Sequence, residues 1–178
     1  MEAQLEVLDD AEFNEVLRLQ RLYYGQALKC EAAKAYLAGC VMLGAALEAA
    51  LIAMVCCYPD EATACRGLPH QKGSIKPLRQ WRLAELLSIA KQLSWLPAGL
   101  QLDESWSSKR AKIGDYAEVV RMLRNMVHPI AYLTEHRGRR VTSKHLANSF
   151  HILEAAVHGH LVAKVHASLR RKMQEEGA

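Results

Sequence analysis

Apolar residues recur at steps of three and four along most of the chain, and no stretch alternates as a half-buried strand does. A first helix is expected from Asp9. Asp9 and Glu12 have capping-box spacing, and Leu8 and Phe13 can staple the entry. Phe13, Val16, Leu17 and Tyr24 mark its apolar face, and Gly25 is expected to end it. A second helix is predicted from 26 to 58, closed by Pro59-Asp60, with a kink near Gly39 or Gly44. Residues 59–76 carry Pro59, Gly67, Pro69 and Gly73 and read as a long loop. A third helix should start at Pro77 and run through Leu83, Leu86, Leu87, Ala90 and Leu93, stopping before Pro97. After an irregular stretch over 96–112, a fourth is expected from Asp115 to the segment before Pro129. The fifth starts near Thr142 or Ser143, with Leu146, Phe150, Leu153, Val157, Leu161, Val165 and Leu169 in one stripe.

The expectation is an all-α, up-down helical bundle in one domain over 1–178. Residues 1–25 form an N-terminal helix, and 26–172 form a bundle core of four main helices. The length suits one domain with a sizeable core. At 51% hydrophobic residues, disorder is not expected.

The fourth helix carries the most specific pattern. At roughly 100° per residue, Tyr116, Val119, Val120, Leu123 and Val127 fall in one sector, with Met126 at its edge. Arg121, Arg124, Asn125 and His128 fall on nearly the opposite side. Arg124 and His128 are one turn apart, and Arg121 lies two turns before His128. A guanidinium offers a fork of donors that matches phosphate oxygens. Histidine is the side chain most suited to giving up a proton near neutral pH. Together they suit metal-independent RNA cleavage, in which a 2′-hydroxyl attacks its own phosphodiester. Asn125 can orient either group. The plain alternative is a solvated helix face.

Charge and cysteine usage narrow this little. A net charge of +4 permits an acidic partner such as RNA without requiring one. The five cysteines are Cys30, Cys40, Cys56, Cys57 and Cys65, an odd count in mostly apolar surroundings. No signal peptide opens the chain, so a cytoplasmic protein with free thiols is expected. From Ala35 to Tyr58 the only charged residue is Glu48, and the run is long enough to cross a bilayer. A charge near its middle and many small residues favour a bundle core over a membrane span.

Glu48 needs a partner in that setting, and a motif arginine or His128 can supply it. The turn at Arg137, Arg139 and Arg140 can grip RNA phosphates or simply face solvent. Trp81, Trp95 and Trp106 read as core or interface anchors. Cys56, Cys57, Cys65 and His70 lack zinc-site spacing. The five histidines of the last helix, among them His151 and His158, read as polar-face residues. There is no Walker A pattern, Rossmann glycine pattern or nucleophile elbow. No metal and no cofactor are expected.

Leu123-Arg124-Asn125-Met126-Val127-His128-Pro129 resembles the signature of the HEPN superfamily, helical bundles named from nucleotide-binding proteins of higher eukaryotes and prokaryotes. Leu43-Gly44-Ala45-Ala46-Leu47-Glu48-Ala49 and the helix order resemble it too, over roughly 26–172. The resemblance implies a homodimer or larger oligomer with motif helices facing each other. It also implies endoribonuclease activity in toxin–antitoxin or phage-defence systems, with an antitoxin or effector-complex subunit as partner. Other members are non-catalytic assembly modules. The family pattern is an arginine, often followed by a polar residue, then a histidine after four to six residues. Arg121 and His128 are separated by six residues, but Met122 follows the arginine. Arg124 is followed by Asn125, but three residues separate it from His128. The resemblance therefore assigns catalytic roles to Arg121 or Arg124, to Asn125 and to His128.

Overall fold

The computed structural model describes residues 5–96, 121, 124–125, 127–130, 133 and 140–156. Helices hold 70% of the described residues, which places the protein in the all-α class. Helix α1 spans Asp10–Ala32 and α2 spans Tyr36–Cys57. A single turn, α3, follows at Pro59–Thr63, and α4 covers Leu83–Gln92. The last described helix, α5, is Ser143–Ala156.

The capping box at the start of α1 forms as its sequence spacing requires. Asp9 accepts from the Glu12 backbone N–H at 2.9 Å, and Glu12 accepts from the Asp9 N–H at 3.2 Å. The expected break at Gly25 does not occur, so the division between an N-terminal helix ending at 25 and a core beginning at 26 is corrected. A glycine inside a helix costs only about 1 kcal/mol against alanine. Fully buried Ala27, two residues on, helps hold the turn against the core. The chain reverses instead at Lys34, whose φ of 57° is left-handed. Its backbone N–H donates to Glu31 O, and that of Ala35 to Cys30 O. Helices α1 and α2 thus form a hairpin with a three-residue connection, and α1 belongs to the core.

Helix α2 is the axis of the core. Leu43, Ala46, Leu47, Leu51, Met54 and Val55 are all buried. It has the length and composition of a membrane span, with mean hydropathy 2.3 over a window that is 61% buried within the fold. Helix α5 packs on it and buries Leu146, Phe150 and Leu153, as the stripe predicts, together with Ile152, which the stripe does not include. The rest of that stripe, from Val157 onward, lies outside the described residues. Tyr24 of α1 ties α5 down from the other side. Its ring meets Phe150 edge-on at 5.6 Å, and its hydroxyl donates to Glu154 at 3.1 Å. Burial, followed by the Glu154 contact, raises the Tyr24 phenol above its ordinary value.

The loop expected over 59–76 contains structure. After α3, strands β1 (His70–Gln71) and β2 (Ser74–Ile75) pair antiparallel. Both turn residues have positive φ, Lys72 at 52° and Gly73 at 82°, the geometry of a tight hairpin turn. Two residues per strand are too few for alternation to be visible in sequence. Pro77 does not start the next α-helix either. It precedes a 3₁₀ turn at Leu78–Gln80, and the Trp81 indole N–H donates to the Lys76 carbonyl at 2.7 Å. Helix α4 then starts at Leu83, with Glu85 accepting the Arg82 backbone N–H. Lys76 adds a 2.9 Å ion pair to Glu85. Burial raises the Glu85 carboxyl, but the Arg82 N–H and Lys76 outweigh it and leave it below its ordinary value. Trp81 and Trp95 are buried core anchors, as expected. Trp106 and the stretch from 97 to 112 lie outside the described residues.

Candidate functional site

The site is built where the motif segment meets α2. Arg121, Arg124 and Asn125 are helical and half-buried. The helix breaks at Val127 and His128, and Pro129 and Ile130 are helical again. A proline at this place keeps the preceding residue out of the α region and suits the first turn that follows. His128 closes the break, its backbone N–H donating to Asn125 O at 2.9 Å. The His128 side chain is exposed.

The sequence leaves the polar face open between a site and a solvated surface, and places Val127 in the apolar sector. Val127 is 51% exposed, followed by Ile130 at 72% and Leu133 at 56%. Arg124 turns toward α2 and meets Glu48. Its Nη2 lies 2.9 Å from Oε2, and its Nη1 donates to Oε1 at 3.2 Å. The contact is a two-pronged fork, and the two side chains keep 33% and 22% of their surface exposed. The reason Arg124 turns inward is on α2. Glu48 is a carboxylate in an otherwise apolar helix and requires a cation. One turn before it, Gly44 opens a gap for the arginine stem. A Cβ at Gly44 would fall 2.7 Å from Arg124 Cβ and 3.2 Å from its Cγ and Cδ. Gly44 and Glu48, four residues apart on one face, therefore seat the stem and head of one side chain.

Glu48 and Arg124 are brought together, as one reading of Glu48 expects. Arg140 is exposed and lies before α5, while Arg137 and Arg139 lie outside the described residues. Sequence reasoning missed Gly44 as part of the site. The available sign was a small residue one turn before a lone carboxylate. The cysteines are unpaired in disulfide terms, and among the described residues no three His, Cys, Asp or Glu side chains converge on a metal-sized site. Cys40 is sealed under α5, where Ser149 Oγ donates to its sulfur at 3.8 Å. Burial pushes that thiol up to about 11.

The arrangement can hold a guanidinium in one orientation at a helix break that exposes an imidazole. No family model, curated protein or solved structure matches the chain.

Proposed function

We propose that the chain is a HEPN-like helical bundle of the cytoplasm and a metal-independent endoribonuclease. The observation that carries this reading is the pairing of a fixed guanidinium with an exposed histidine one turn later on the same segment. Arg124 supports charge on the phosphate. The RNA 2′ oxygen bonds to phosphorus, and the bond from phosphorus to the 5′ oxygen breaks. His128 delivers a proton to the departing 5′ oxygen, and the 2′-hydroxyl proton passes to solvent. The products are a 2′,3′-cyclic phosphate and a 5′-hydroxyl. Asn125 orients the segment's end through its carbonyl contact with His128. Arg137, Arg139 and Arg140, which follow the motif closely in sequence, supply a salt-sensitive phosphate contact. A role in a toxin or phage-defence system belongs to the same reading.

His128→Ala tests it. Cleavage of a labelled RNA in chelator should fall by about 10²- to 10⁴-fold, with the circular-dichroism spectrum and melting temperature unchanged. A pure protein that binds RNA and never cuts it removes the enzymatic reading.

A second reading has its own observation. Val127, Ile130 and Leu133 expose apolar surface beside the motif, and Glu48 neutralises Arg124. These features suit a non-catalytic assembly module in which a second copy of the chain covers the segment's end. Ile130→Asp would then lower the oligomer mass in light scattering without affecting any hydrolysis.

A further inference from the structure

We infer that Glu48 is the positioning residue of Arg124, and that Arg124 rather than Arg121 addresses the phosphate. The inference rests on the cleavage reading and resolves the register that the sequence leaves open. Counting residues to the histidine selects Arg121; the polar neighbour selects Arg124. Geometry adds an independent criterion. Arg124 has a dedicated seat, because Gly44 admits its stem to a distance no Cβ would allow and Glu48 grips both Nη atoms. A guanidinium held at both prongs has lost its rotamer freedom before any ligand arrives, and a preorganised donor is worth most where charge develops in the reaction. A third of the Arg124 side-chain surface remains exposed, so the pair is not sealed from solvent.

The carboxylate also has an opposing effect. It cancels part of the arginine's attraction for a resting phosphodiester. Removing its charge should strengthen ground-state binding while loosening the geometry needed in the transition state. Glu48→Gln is therefore expected to lower kcat by about 10- to 100-fold while KM stays the same or falls. A purely architectural residue would instead reduce the folded, active fraction and leave KM unchanged among molecules that remain folded, with a matching loss of melting temperature. Arg121→Gln should leave kcat within about threefold of the wild type, a much smaller change than the misplacement of a reacting group produces.

The experiment is steady-state cleavage of a fluorescent RNA by the full chain, in chelator, with active-site titration to count working molecules. A lowered kcat per working molecule with an unraised KM for Glu48→Gln, and near-normal Arg121→Gln, supports the assignment. If Glu48→Gln does not fold, Glu48→Asp provides the kcat comparison, since it keeps the charge and draws the carboxylate back from the fork by one methylene. Wild-type kcat and KM in the variant used, or a larger kcat loss for Arg121→Gln, overturn the assignment and leave the cleavage reading standing. A wild-type chain that never cuts RNA overturns both.

Discussion

Helix α2 receives two neighbours over two glycines, and the two seats are built differently. At Gly39 a Cβ would meet Leu146 Cδ1 at 2.7 Å and Cδ2 at 3.1 Å, with Cys30 Cβ at 3.4 Å. At Gly44 it would meet Arg124 Cβ at 2.7 Å. The first neighbour is the far end of a flexible side chain inside an apolar contact. The second is the root of a side chain whose head is fixed by Glu48. Shape alone defines the Gly39 seat, so neighbouring rotamers can absorb an error. At the Gly44 seat shape and charge must be met together, and an error there displaces the backbone. Shape complementarity fills a core, whereas a paired charge adds a requirement on register.

The largest expected difference follows directly. Gly44→Ala should destabilise the fold by about 1–3 kcal/mol, because Arg124 Cβ cannot rotate out of the way. Gly39→Ala should fall within about 1 kcal/mol of the wild type, since the better helix propensity of alanine offsets a shifted Leu146 methyl. Urea unfolding of the two variants checks the order. Equal losses would mean that the Gly44 seat yields as easily as the Gly39 seat.

A smaller effect separates charge from shape within the Gly44 seat. Glu48→Gln leaves Arg124 half-buried beside a neutral amide, and Arg124→Met leaves the carboxylate without its fork. Each single change should cost about 1–2 kcal/mol, less than a fully buried pair because both groups keep some solvent. The double variant should lose less than the sum of the singles, by about 1 kcal/mol, when all four proteins are compared by chemical denaturation. Strict additivity would show that the fork contributes nothing to stability beyond its separate parts.

How legible these seats were in the sequence depends on how local their causes are. The Asp9–Glu12 box involves neighbours three apart, and the structure forms it where the spacing placed it. The α5 stripe was also correct at Leu146, Phe150 and Leu153, where burial follows helical periodicity. Gly25 misled because a helix tolerates one glycine, while the actual reversal sits at Lys34, a residue with no turn preference. The motif face was legible only in part. Periodicity assigns polar residues to water by default, but a half-buried carboxylate and a gap 76 and 80 residues upstream draw Arg124 inward. The lone charge of Glu48 announced a missing partner without identifying which. The role of Gly44 depends on contact between distant segments, so only the fold reveals it.

The smallest expected effect concerns Cys40, the residue after Gly39, and it reports on one seat alone. Its fully buried thiol lies under Ser149 of α5, and burial raises it from an ordinary value of 9.0 to about 11. A group whose value is raised on folding gives its full contribution below the unfolded value and loses it as pH rises through the folded one. The stability gap between wild type and Cys40→Ala should therefore hold up to about pH 9 and shift against the wild type between about pH 9 and 11. At pH 8 a maleimide should modify exposed Cys57 first and Cys40 last, because Cys40 is both neutral and covered. Gly39→Leu, which drives a long side chain into Leu146, should bring Cys40 modification forward by lifting α5 locally. Gly44→Ala, acting on the other seat, should leave the Cys40 rate near that of the wild type. Mass spectrometry of timed samples reads each thiol separately. If Gly44→Ala accelerated Cys40 as much as Gly39→Leu, the two seats would open as one unit, and their separation along α2 would have no energetic meaning.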